Sequence, residues 1–180
     1  MSNEDKDEDK DKNNQPEWKH FRVSQGLLIH NGGVLLVAND YGYEDLLWSL
    51  PGGRLEIGEQ HLDGLVREFY EETGLSVVPG ELLYVVDAQS TLHQRHFVTL
   101  VFAVRLAHPV PEPEIVCELN GPVKDARFVP IHEIPDYIQR PSMGEGLVNY
   151  LCYKDKAPRY WHYSEYLTPH WTPLQWPSLP

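Results

Sequence analysis

A mixed β-sheet sandwiched between helices, an α/β fold, is what this chain of 180 residues predicts. Three observations carry it. Short β-rich runs dominate from Phe21 onward, one amphipathic helix interrupts them between about Glu59 and Thr73, and two further helical stretches follow the last run. Strands and helices that alternate in this way place the helices on the faces of a sheet.

The elements follow in chain order. Phe21 to His30 and Val34 to Ala38 are strand-like and are joined by Asn31-Gly32-Gly33, a strong hairpin signal because both central residues of such a turn need positive φ. In the helix, Glu59 comes directly after Gly58, where a carboxylate suits the partial positive charge of a helix N-terminus, and Gly74 stands where a left-handed cap ends it. Leu62, Leu65, Val66 and Phe69 recur at three- and four-residue steps and are expected to bury against the sheet. Leu82 to Asp87, His96 to Leu106 and Ala126 to Pro130 are the later strands. Ile131 to Gln139 and Gly144 to Tyr153 are the later helices.

Glu68, Glu71 and Glu72 are related by three and four, so they share one face of the helix. Like charges at that spacing cost a few tenths of a kcal/mol per pair, and Arg67, four before Glu71, offsets only part of it. A solvated acidic face is the plain reading. The alternative is a hard divalent cation, which takes carboxylate oxygens and shares them with substrate phosphates.

Composition bounds the setting. With 41% hydrophobic and 23% charged residues, the chain suits one domain over about 18–157, preceded by an acidic tail (1–17) and followed by an aromatic- and proline-rich strap (158–180). The tail has no apolar residue after Met1 and is expected to be disordered. A net charge of -12 argues against nucleic-acid partners, which call for a basic face. No apolar run reaches the length of a membrane span. Cys117 and Cys152 are too few for a disulfide scaffold, and no signal-peptide core is present, so a reducing cytoplasm is expected.

The segment from Gly53 to Leu75 reads GRLEIGEQHLDGLVREFYEETGL. Gly53, Glu59, Arg67, Glu68, Phe69, Glu71, Glu72, Gly74 and Leu75 stand at fixed offsets, and chance produces seven such single-type positions less than about once in ten million starts. This segment resembles the complete signature of the Nudix hydrolase family, without departure at any position. Leu46 to Gly52, LLWSLPG, is similar to the strand and Pro-Gly-Gly entry of that family, and the strand order agrees with its α/β/α sandwich.

The resemblance implies hydrolysis of a phosphoric anhydride bond in a nucleoside diphosphate linked to another moiety, with Mg2+ or Mn2+ as cofactor and a small nucleotide as partner. It implies Glu71 and Glu72 as principal metal ligands, the Gly53 carbonyl as another, and Glu68 as ligand or general base. Arg67 would orient a glutamate, and Glu59 would support the metal shell from beyond it. Arg54 is a candidate phosphate contact. In parts of the family the base lies outside the signature, and here Glu112, Glu114, Glu118 and Asp125 are candidates, each weighed against being a solvated loop acid.

Substrate markers are absent: Ser90, Thr91 and Leu92 stand where a proline or tyrosine would be expected. An NDP-sugar, ADP-ribose-like or related compound is the first expectation. A nucleoside triphosphate is the second, and a non-catalytic nucleotide-binding module with the same fold is the third. In the strap, Trp161, Trp171 and Trp176 are suited to base stacking or a homodimer contact, the plainer role being to cover an apolar patch of their own domain. His93 and His96 point to opposite faces if both lie on one strand, so neither is assigned as a ligand.

Overall fold

The computed structural model describes residues 17–42, 45–117 and 121–164; the acidic tail up to residue 16, Glu118, Trp171 and Trp176 lie outside them. Among the described residues two sheets share the core. The first holds β1 (Lys19–Leu27), β5 (Gly52–Arg54), β6 (Val77–Ser90), β7 (Arg95–Leu106) and β9 (Tyr160–Tyr163) in the order β5-β1-β7-β6-β9. It is mixed: β1 runs parallel to β7 and β9 parallel to β6, while β5 lies antiparallel to β1 and β6 antiparallel to β7. In the second sheet β3 (Gly33–Asn39) is flanked by β8 (Val123–Pro130) on one edge and by β2 (Ile29–His30) and β4 (Leu47–Ser49) on the other.

The hairpin expected at Asn31-Gly32-Gly33 joins β2 to β3, with Asn31 and Gly32 at φ of 49° and 78°. That is the pair of positive values a twist-matched two-residue turn demands. β3 is buried at all seven positions because both of its faces are covered, which is why its sequence is a continuous apolar run instead of an alternation.

Helix α1 spans His61–Thr73 and ends at Gly74 in the left-handed conformation, φ 70°. Glu59 therefore precedes the helix, and its carboxylate is bound elsewhere. The buried face also differs from the expected stripe. Leu65 and Phe69 are fully buried, but Leu62 is 46% exposed, and Gly64 and Thr73 complete the buried set. The helix is rotated so that a small residue faces Leu55 and Glu59, and Phe69 sits beneath Gly26, where a Cβ would lie 2.9 Å from the ring. Burying Leu65 and Phe69 contributes about 1.5–3 kcal/mol each.

On the opposite side lie α2 (Ile134–Tyr137), entered through a 3-10 turn at Ile131–Glu133, and α3 (Pro141–Tyr153). α3 packs on β6 and β9, with Leu147 in a cluster of Leu27, Leu36, Tyr84, Val101 and Val129, while Leu65 and Phe69 join Leu28, Leu35, Phe102 and Val104. Helices thus cover both sides, giving the α/β/α sandwich. Within the described part of the strap, Tyr160–Tyr163 adds to the edge of β6, and Trp161 packs against the α3-side core. His93 lies in the turn between β6 and β7, so it and His96 do not share a strand.

Candidate active site

Strand β5 brings the backbone to the acidic face of α1. Gly52 has φ 135°, and a Cβ there would collide with the Ser24 carbonyl, so only glycine lets β5 approach β1 at this point. Its N–H is left facing the helix and donates to Glu72 Oε2 at 2.7 Å. Gly53 is constrained only by a side chain: a Cβ there would occupy the position of the Glu68 carboxylate. The Pro-Gly-Gly entry thus presents bare backbone to two glutamates.

Arg67 organises the remaining acids. Its Nε and Nη2 donate to the two Glu59 oxygens at 2.9 and 2.8 Å, its Nη1 to Glu68 at 2.8 Å and Glu71 at 3.0 Å, and its Nη2 also to the Arg54 carbonyl at 3.3 Å. This is the forked geometry that arginine offers and lysine does not. Glu59 accepts a further bond from the Glu56 N–H at 2.9 Å, and the Arg67 bonds hold its carboxyl down at about 2.

The inner glutamates behave oppositely. Burial pushes Glu72 up to about 8, against the pull of the Gly52 N–H and with Glu68 and Glu71 adding repulsion. Burial likewise raises Glu68, opposed by Arg67. Two half-buried acids that resist ionisation beside a third carboxylate form a site short of positive charge. One arginine does not supply enough.

Among the described residues, no three acidic, histidine or cysteine side chains converge as an ion's ligand set in this arrangement. The reason is visible in the contacts: Arg67 draws Glu68 and Glu71 to itself, while Gly52 draws Glu72 away. The donor chemistry nevertheless fits a hard divalent cation, because carboxylates and a backbone carbonyl are its ligands and the charge deficit is what it would relieve.

Arg54, expected as a phosphate contact, has its guanidinium 4.2 Å from the Phe21 ring centre and 5.5 Å from that of Phe97, and the two rings stack 4.5 Å apart. Stacking orients the cation without consuming its hydrogen-bond donors. Sequence reading did not single out Phe21 and Phe97; the signal was their parallel register, which only the sheet pairing shows. Tyr41 and Cys117 were also missed. The Tyr41 hydroxyl is raised by burial and by Glu72, with Arg54 opposing, and the Cys117 thiol is raised by burial and then by Glu72.

The outlying base candidates are dispersed. Glu112 lines a cavity with His30, Asn31 and Phe128, Glu114 is exposed, and Asp125 is ion-paired with Arg127, which lies 5.3 Å from the Trp48 ring centre. None of these three hydrogen-bonds to Glu68, Glu71 or Glu72 among the described residues.

The NUDIX domain family profile matches residues 20–149. A Bacillus subtilis (strain 168) protein, YjhB, provisionally named an ADP-ribose pyrophosphatase, is 30% identical over 138 residues, covering 73% of this chain and 62% of the relative. The chain spans about three-fifths of the length of the curated relatives it matches. A Nudix hydrolase structure from Nitrosomonas europaea superposes with a TM-score of 0.62 at 21% identity, covering 73% of this chain and 88% of that one. A bifunctional NMN adenylyltransferase/ADP ribose pyrophosphatase from Francisella tularensis, complexed with AMP and a Mn ion, gives 0.55 at 20% identity, covering 76% and 42%. The match from residue 20 to residue 149 takes in the Gly52–Gly53 bend, the Arg67 fork and all four signature glutamates, and this chain belongs to the Nudix hydrolase family.

Proposed function

We propose that this protein is a metal-dependent pyrophosphohydrolase that cleaves a nucleoside diphosphate linked to another moiety, ADP-ribose-like or an NDP-sugar, by attack of water at phosphorus. The observation that carries this reading is the charge deficit of the glutamate ridge: Glu68 and Glu72 are raised by burial at the bare backbone of Gly52 and Gly53. The name of the Bacillus relative, an ADP-ribose pyrophosphatase, favours an ADP-ribose-like substrate over a nucleoside triphosphate.

The Gly53 carbonyl, Glu68, Glu71 and Glu72 would hold Mg2+ or Mn2+. When bound, such an ion neutralises phosphate charge and acidifies a coordinated water. The chain's own residues do the rest. Glu68, raised by burial and aimed by Arg67, would serve as a metal ligand or as the base that accepts the proton of the attacking water. Arg67 keeps that carboxylate in place, and Glu59 keeps Arg67 in place through two bonds to one carboxylate. Arg54, braced on Phe21 and Phe97, would bind a phosphate oxygen. In the reaction one P–O bond to the water oxygen forms and the anhydride P–O bond breaks, leaving a nucleoside monophosphate and a phosphorylated product.

No helix among the described residues is long and apolar enough to cross a membrane. Incubation with ADP-ribose, UDP-sugars, dinucleotides and nucleoside triphosphates plus Mg2+, with products resolved by chromatography, tests the reading. ADP-ribose or an NDP-sugar should yield monophosphate, and Glu72→Gln should lower that turnover by roughly 10²–10³-fold or more with an unchanged circular dichroism spectrum. Unchanged turnover in that variant removes the mechanism, and binding without cleavage of any substrate supports the non-catalytic reading.

A further inference from the structure

We infer that His20 and His96 form a second metal site, for a borderline transition ion such as Zn2+, Ni2+ or Cu2+, on the α1-side face of the five-stranded sheet and separate from the glutamate ridge. The two residues are partners in the parallel register of β1 and β7, so their side chains leave the same face side by side. Their Nδ1 atoms lie 3.1 Å apart, with ring centroids 5.3 Å apart and planes at 77°. Two imidazole nitrogens at that distance share one proton or one cation. Nitrogens bound at about 2.0–2.1 Å to one ion stand about 3.1 Å apart when the angle between them is about 100°, between the square-planar and tetrahedral values. A small turn of each ring replaces the shared proton with the ion.

The surroundings have the form of an outer ligand shell. His96 Nε2 donates to Asp87 Oδ1 at 2.6 Å, and Asp87 Oδ2 accepts from the Tyr160 hydroxyl at 2.8 Å. A carboxylate on the far nitrogen fixes the tautomer that leaves Nδ1 free to ligate and makes the ring a better donor. Tyr160 in turn ties this carboxylate to β9, so the strap segment holds the network. Beside it opens a cavity of about 280 Å³ lined by Asp87, Gln89, His96, Tyr160, His162 and Tyr163, with room for water or a small anion to complete the coordination. Arg22, two residues along β1 on the same face, donates to the Glu56 carbonyl at 3.2 Å, and the net charge of -12 favours a cation. Imidazole donors select against Mg2+, which keeps the two centres chemically distinct.

The test uses the full chain with excess Mg2+ to occupy the carboxylate centre. Cu2+ added at one equivalent should give an electron paramagnetic resonance spectrum with superhyperfine coupling from two nitrogens, and Ni2+ should titrate by calorimetry at one site. His20→Gln, an exposed change that spares the fold, and His96→Gln should each remove the two-nitrogen signature and weaken Ni2+ binding at least tenfold. Asp87→Asn should weaken it by about 10–100-fold while keeping both nitrogens. Mg2+-dependent hydrolysis should be unchanged in His20→Gln. A spectrum showing oxygen ligands only, or two-nitrogen coupling that persists in both histidine variants, overturns the proposal.

Discussion

Glu72 illustrates how a single side chain couples stability to the proposed chemistry. Its carboxyl is raised from 4.5 to about 8, so the folded chain holds a proton that the unfolded chain has released across that window. Stability of the metal-free protein is therefore expected to fall as pH rises from about 4.5 to about 8 and then level off, by on the order of a few kcal/mol. Denaturant titrations at a series of pH values read this slope directly. Glu72→Gln should flatten it, and so should millimolar Mg2+, because each removes the cost of an uncompensated anion. Glu59 has the opposite sign: held at about 2, it contributes stability above about 4.5 that is lost as pH drops toward 2. Gly53→Ala tests the bend. Its methyl would displace the flexible end of Glu68 without touching the core, so turnover should drop at least tenfold while the unfolding midpoint moves little. A variant with normal kcat would show that Glu68 need not lie against this backbone.

At the scale of elements, glycine sets how closely each helix approaches its sheet. Gly26 admits the Phe69 ring under β1, and Gly146 on α3 admits the Tyr84 ring, where a Cβ would lie only 2.6 Å from Cε2. Tyr84 is 3% exposed, so its ring has no room to retreat. Gly146→Ala is expected to cost about 1–3 kcal/mol by overpacking, measured by equilibrium denaturation, and to leave catalysis intact because α3 lies across the sandwich from α1. A neutral result would mean that α3 can slide along β6. The rotation of α1 belongs to this scale too. The three-four periodicity named Leu65 and Phe69 correctly but included Leu62, because hydropathy ranks leucine above glycine and threonine, whereas packing favours the small residues that let the helix sit close. Helix capping was misplaced for a related reason: Glu59 resembles a first-turn acid in sequence, yet its stronger partner is Arg67, eight residues away.

Over the whole molecule, β9 is the piece with the largest reach. It pairs with β6 through Tyr160–Tyr163, packs Trp161 against the α3-side core, and closes on α3 through the Tyr163 hydroxyl donating to Glu145 at 2.7 Å. Deleting residues 159–180 should unpair an edge of β6 and lower the thermal midpoint by several degrees, with a rise in light scattering from the exposed edge. An unchanged midpoint would assign the strap no structural role. From the sequence this segment read as a proline-rich strap covering its own domain. That it extends a sheet was hidden because Tyr-Trp-His-Tyr alternates weakly, and a parallel edge pairing depends on a partner more than seventy residues away. What the sequence by itself determined is the acidic helix, its glycine boundaries and the family, since these rest on local spacing that a helix converts into one face. What only the tertiary structure decided is the electrostatics and reach of the site: how burial raises Glu68 and Glu72, which ring carries Arg54, and which histidines meet. Those depend on strands brought into register from distant parts of the chain, and no local pattern encodes that register.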